Sequence, residues 1–242
     1  MINTRLSDIP PVVKNLVLIN VLMFLAKFAL NGAFGIDLDR ILGLFFIKSP
    51  QFQPFQIVTH MFMHGSIMHL GFNMFALWMF GRIIESVWGA KRFFIYYFVT
   101  GLGAAFLQML VTYIRFTVIS SKLPQESVDM VINEGYKVLM NGQNYSNVLL
   151  GKLNLLTNIV TIGASGAVFG VVLAFGMLFP NTQLMLLFPP IPIKAKYAAV
   201  LMLGLGVMLD FRGNVAHFAH LGGMIFGYIL IKYWNKKSNR FY

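Results

Sequence analysis

The segment Gly163-Ala164-Ser165-Gly166 sets one serine among glycines inside an uncharged apolar run, residues 159–179. A serine in such a run can bond back to its own helix or let two helices pack closely. Its company points further. The chain's five histidines, His60, His64, His69, His217 and His220, form two clusters, each inside another apolar run, and Asn73 stands four residues beyond His69. A serine within hydrogen-bond reach of a histidine is what base-activated nucleophilic attack requires. No Asp or Glu lies inside these runs, so a histidine buried there is expected to be neutral, as a general base must be. The missing carboxylate points to a Ser-His dyad and not a triad. His69 and Asn73, one helical turn apart, can offer a ring N–H and an amide N–H to a developing oxyanion.

These groups need elements to carry them, and composition says of what kind. The 242 residues are 57% hydrophobic and 11% charged, with a mean hydropathy of +0.71. Soluble domains carry about 25% charged residues, so a polytopic membrane protein is indicated. The absence of cysteine excludes disulfides, thiolate nucleophiles and cysteine metal sites. Six apolar stretches can be drawn, at residues 16–33, 55–80, 93–118, 159–179, 191–209 and 215–233. The first reads as a retained span and not a signal peptide. Asn20 and Lys27 interrupt it, and Lys194 and Lys196 shorten the fifth.

An even count puts both termini on one side. The segments on that side hold most of the Lys and Arg, opposed only by Asp8 and Glu85, whereas cations and acids nearly balance on the other. The positive-inside rule makes the termini cytoplasmic and places the protein in the cell membrane, multi-pass. The net charge of +11 then reads as topology and contact with anionic lipid, with no nucleic acid implied. Two long connections fall on the outer side. Residues 34–54 have the composition of a segment lying in the interface, and residues 120–158 contain an expected amphipathic helix at 128–140. Pro189, Pro190 and Pro192 stiffen a cytoplasmic turn that reverses the chain.

With this topology, spans two, four and six all start at the outer face. His60, His64, His69 and Asn73, then Ser165, then His217 and His220 lie at similar depth, where polar groups face one another or a shared wet cavity. Gly166, Gly170 and Ala174 recur every fourth residue in span four, as do Ala219, Gly223 and Gly227 in span six. Such stripes let two backbones approach closely, so spans four and six are expected to touch along them, at Gly170 and Gly223 among others. Arg115 and Lys27 read as snorkelling cations. His60 and His64 read as structural hydrogen-bonders that hold the outer loop.

The three stretches Thr59 to Asn73 (THMFMHGSIMHLGFN), Gly163 to Gly166 (GASG) and Ala219 to Gly223 (AHLGG), with Gly227, together resemble the motifs of the rhomboid intramembrane serine proteases. The resemblance implies Ser165 as nucleophile, His220 as base, and His69 and Asn73 as oxyanion stabilisers beside the Ser165 backbone N–H. It also implies that the substrate is itself a transmembrane helix, cut near its outer end. The chain departs from the family pattern in three places. Phe169 stands where a tyrosine often packs on the imidazole, Phe55-Gln56 replaces a Trp-Arg pair, and Val215 replaces a glycine.

The fold expected is an all-α membrane protein. It is a single domain over 1–242, a six-helix rhomboid-like bundle with a water-accessible cavity open to the outer side. Its partners are single-span or polytopic membrane-protein substrates and the bilayer, and no metal or other cofactor is required. Two competing readings are a histidine-ligated membrane metal or haem protein, using His60 with His64 and His217 with His220, and a non-catalytic relative that only binds helices. The first leaves Ser165 and Asn73 without a role.

Overall fold

The computed structural model describes residues 9–185, 190–198, 200, 201, 204 and 217–237. Helix α1 (Pro11–Phe34) starts on Pro11, whose missing N–H costs nothing in a first turn, and stops at Gly35, where φ is 67°. The first-turn donors of α1 find an acceptor far away in sequence. The Glu85 carboxylate accepts the backbone N–H groups of Val12 and Val13 at 2.9 and 2.8 Å. An anion at the positive end of a helix, bonded to otherwise orphaned donors, makes a buried Glu tolerable. Asn20, read as a weak point of the span, is buried and bonds back to the Leu16 carbonyl at 2.7 Å.

Lys27 does not snorkel to water. Its ammonium pairs with Asp39 and donates to the His64 carbonyl at 3.1 Å, tying α1 to the outer connections. Helix α2 (Leu38–Leu42) is N-capped by Asp37, which accepts from the N–H of Asp39 and of Arg40. The segment after it is clamped to the protein, beyond what an interfacial segment requires. Phe45 and Phe46 are buried, Leu44 pairs with Thr161 in an antiparallel bridge, and Ile47 stays exposed.

The second apolar run is not one helix from residue 55. It opens as a single turn, α3 (Gln56–Thr59), passes into a 3₁₀ turn (His60–Phe62) and then extends as far as Ser66. A continuous helical rod begins only at Ile67, where the Ser66 hydroxyl caps the His69 N–H at 3.1 Å. It runs through α4 (Ile67–Ala76), a π-helical turn (Leu77–Gly81) and α5 (Arg82–Trp88). The Gln56 side chain ties the start of this run to the connection that precedes it. Its Nε2 donates to the Ile41 and Gln51 carbonyls, and its Oε1 accepts from the N–H of Phe45 and Gln53.

Helix α6 (Ala90–Ser120) is the 31-residue post against which the rest of the bundle is set. Helices α7 (Gln125–Met140) and α8 (Val148–Asn158) form a hairpin that contains the expected amphipathic helix. Phe46, Phe116, Val128, Val131 and Leu153 make a small core that docks this hairpin on α6 and the outer segment. A ladder of amides completes the attachment. Asn158 bonds Ser49, the Val131 carbonyl and Asn154, and Asn154 bonds Asn144.

The fourth apolar run also starts late as a helix. Residues 159–164 are non-helical, and α9 (Ser165–Leu178) begins at the serine itself. Beyond it, β1 (Gln183–Met185) pairs antiparallel with β2 (Pro192–Lys194), a small hairpin that the all-helical expectation left out. Strand β2 takes residues assigned to the fifth span, whose helix starts at Ala195 and otherwise lies largely outside the described residues. Helix α10 (His217–Lys237) closes the bundle. Among the described residues, three helices are long and apolar enough to cross a membrane: Pro11–Phe34, Ile67–Trp88 and Ala90–Ser120.

Close packing on α6 sets the positions of α9 and α10. A Cβ at Gly222 would come within 2.9 Å of Ala104 Cα and of the Gly103 carbonyl oxygen, and one at Gly166 would collide with Ala104. Gly170 turns out to face α6 and not α10. Its Cβ would meet Thr100 at 2.6 Å, and its carbonyl accepts the Tyr96 hydroxyl at 2.8 Å. Gly223 does lie against α9, with its α-carbon over the Gly166 carbonyl.

Candidate active site

Three helix starts meet at one place: those of α4, α9 and α10. Ser165 is the first residue of α9, so its side chain stands at the end of the helix and its N–H is among those with no intrahelical acceptor. Gly163, two residues earlier, adopts φ 129°, a region that favours glycine. A Cβ there would also lie 2.8 Å from His69 Nε2 and Cε1 and 3.6 Å from Ser165 Oγ. The imidazole of His69 and the hydroxyl of Ser165 therefore flank the point that a side chain at Gly163 would fill. The Gly163 N–H is held by the His60 carbonyl at 2.9 Å, which fixes the extended stretch ahead of the serine.

His220, in the first turn of α10, brings Nε2 to 2.8 Å from Ser165 Oγ. Its ring stacks on Phe169 with centroids 4.3 Å apart and planes 12° from parallel. The residue expected to keep a stacking face thus does so, one turn along α9 from the serine. The Nδ1 atom of His220 is buried and makes no hydrogen bond among the described residues. The His217 ring lies 6.5 Å from that of His220, edge to face, so it neighbours the pair without replacing it.

Asn73 is buried, and its amide donates to the His69 carbonyl at 3.0 Å, which leaves a second amide hydrogen. Asn73, His69, Ser165, Phe169, His217 and His220 all line one cavity of about 1060 Å³. The sequence-predicted residues Ser165, His220, His69 and Asn73 are therefore brought together.

The other two histidines divide. His60 is a structural hydrogen-bonder as expected: its Nδ1–H donates to the Gln56 carbonyl at 2.9 Å. His64 is not held that way. Both of its ring nitrogens are buried without a close hydrogen-bond partner among the described residues, its ring lies edge-on to His69 at 5.0 Å, and it is tied in through its carbonyl by Lys27.

Gln56 is the supporting residue that sequence reasoning passed over, having noted only that it stands in place of an arginine. A glutamine carries two donors and two acceptor lone pairs, enough to organise a loop, and nothing in its spacing announces that use. The contribution of α6 was equally hidden, because Thr100, Gly103 and Ala104 carry no reactive group.

The family model described as Rhomboid domain matches residues 51–119 and 130–236. Rhomboid protein 1, mitochondrial, of Saccharomyces cerevisiae is 28% identical over 184 residues. That alignment covers 74% of this chain and 42% of the yeast protein, so the chain spans less than half the length of that relative.

Proposed function

The chain belongs to the rhomboid family, and on that premise we propose that it is an intramembrane serine endopeptidase working through a Ser165–His220 dyad. The observation that carries this reading is the 2.8 Å contact between Ser165 Oγ and His220 Nε2, in a cavity that also contains His69 and Asn73. Ser165 Oγ attacks the carbonyl carbon of the scissile peptide while His220 Nε2 takes the hydroxyl proton. The negative charge gathers on the carbonyl oxygen, where the Ser165 N–H at the start of α9, the His69 ring and the Asn73 amide are the donors. His220 then gives its proton to the departing amine, leaving an acyl-enzyme on Ser165. A water molecule deprotonated by His220 attacks that ester, and collapse of the second tetrahedral species frees the new carboxylate and restores the serine.

Stacking on Phe169 fixes the plane of the imidazole, a task that a carboxylate performs in a triad. The substrate is a transmembrane helix of another membrane protein, unwound near its outer end to expose the bond to be cut. The protein spans the cell membrane six times, with both termini on the basic, cytoplasmic side and the cavity open outward.

The test is covalent labelling by a fluorophosphonate of the detergent-solubilised protein and of Ser165→Ala, alongside cleavage of a model transmembrane substrate. Labelling should require Ser165, and Ser165→Ala and His220→Ala should each lose on the order of 10³-fold or more in turnover. Equal labelling of wild type and Ser165→Ala would overturn the assignment.

A further inference from the structure

Among the described residues that line the cavity around Ser165 and His220, two carry a full charge, Arg115 from α6 and Lys152 from α8, and none is Asp or Glu. Both are exposed, and among the described residues neither pairs with a carboxylate. The Arg115 guanidinium is held 5.0 Å over the ring of Phe218, two residues before His220 on α10. The remaining wall is largely apolar, with Phe72, Met109, Ile114 and Leu155 among its members. An acidic side chain that enters beside such a wall finds its opposite charge in these two cations.

We propose that Arg115 and Lys152 are specificity-determining residues that select, within the cavity, a substrate segment carrying an Asp or Glu close to the bond that is cut. This rests on reading the cavity as the site of peptide cleavage. The planar fork of Arg115 suits a carboxylate, which it can engage with two parallel N–H bonds, and Lys152 adds a second charge of the same sign. Because Arg115 is seated on the turn of α10 that bears His220, the acidic residue falls within about four positions of the scissile bond, at roughly 3.3 Å per extended residue.

The experiment uses a model transmembrane substrate with Asp, Asn or Lys placed singly at each position near the cleavage site. Two readouts are taken: kcat/KM with the active protein, and Kd with Ser165→Ala. Both use the Arg115 and Lys152 of the natural sequence, then the double variant R115Q/K152Q, then R115E/K152E. Asp should be favoured over Asn by about five- to tenfold at one or two adjacent positions, above what an isolated exposed pair supplies. The preference should vanish in the Gln pair and pass to Lys in the Glu pair. Asp and Asn substrates that bind Ser165→Ala alike at every position would overturn the proposal.

Dependence of the rate on anionic lipid content, equal for all substrates and lost in the Gln pair, would overturn it as well and assign the cations to lipid phosphate. The two readouts separate the two ideas. Failure of the active protein to cleave any substrate removes the protease reading, whereas the pattern of Kd values decides the charge preference without turnover.

Discussion

Replacing Gly223 by alanine adds one carbon atom, and the structure says where it would go. The new Cβ would run into the carbonyl oxygen of Gly166, backbone on α9, and not into the movable end of a side chain. Contact requires about 3.5 Å, so α9 and α10 must part by more than about 1 Å. Ser165 adjoins Gly166, and His220 lies three residues from Gly223 on the same helix. A separation of that size would carry the 2.8 Å Ser165–His220 contact out of hydrogen-bond range. A misplacement of about 1 Å at a reacting pair costs about 10²-fold in rate.

Overpacking should also destabilise by about 1 to 3 kcal/mol, roughly 2 to 12 °C in Tm for a chain of this size. Cleavage of a transmembrane substrate, fluorophosphonate labelling and thermal unfolding would be compared in one detergent, with rates taken well below every Tm. Gly204→Ala is the control, because a Cβ at Gly204 meets nothing within 4 Å among the described residues. Gly170→Ala should lower stability through Thr100 of α6 and disturb the α9–α10 contact less. Turnover by Gly223→Ala within about threefold of wild type, or greater damage from Gly204→Ala, would refute the close approach as the device that sets the dyad.

Asn73→Ala and His69→Ala should each lower kcat by about 10²-fold while probe labelling persists, and the double variant should lose less than the product of the two, since both donors serve one charge. A raised KM with unchanged kcat would make them binding residues instead. Glu85→Ala strips the acceptor from two buried first-turn N–H groups of α1 and should cost about 2 to 4 kcal/mol in thermal stability, with kcat per folded molecule little changed; an unaltered Tm would refute the capping role.

The candidate site residues were legible in the sequence because they are expensive where they stand. Ser165, His69, Asn73 and His220 sit in apolar runs, where a polar side chain without a purpose is disfavoured, and their order along the chain matched a known set of motifs. Membrane character was legible for a similar reason, since solvent sets the composition of whole segments. Helix boundaries were not. Residues 55–66 and 159–164 lie in the same apolar runs as the helices that follow them, and contacts from distant residues hold their backbones out of the helix. Lys27, through the His64 carbonyl, and Gly163, through the His60 carbonyl, supply them in one case, and Leu44 and the His60 carbonyl supply them in the other.

That difference decides the site, because a serine in mid-helix would have its N–H tied to the turn before it, whereas at the start of α9 that N–H is left without an intrahelical acceptor. The small-residue stripes were visible, but not their partners: a glycine records that something comes close and not what. Gly223 meets α9, while Gly170, Gly222 and Gly227 meet α6, a helix with no motif of its own. Residue types and their periodicity are local properties of the chain and are settled by solvent and propensity. Which surface each stripe meets depends on the simultaneous packing of three helices, and only the folded tertiary structure determines it.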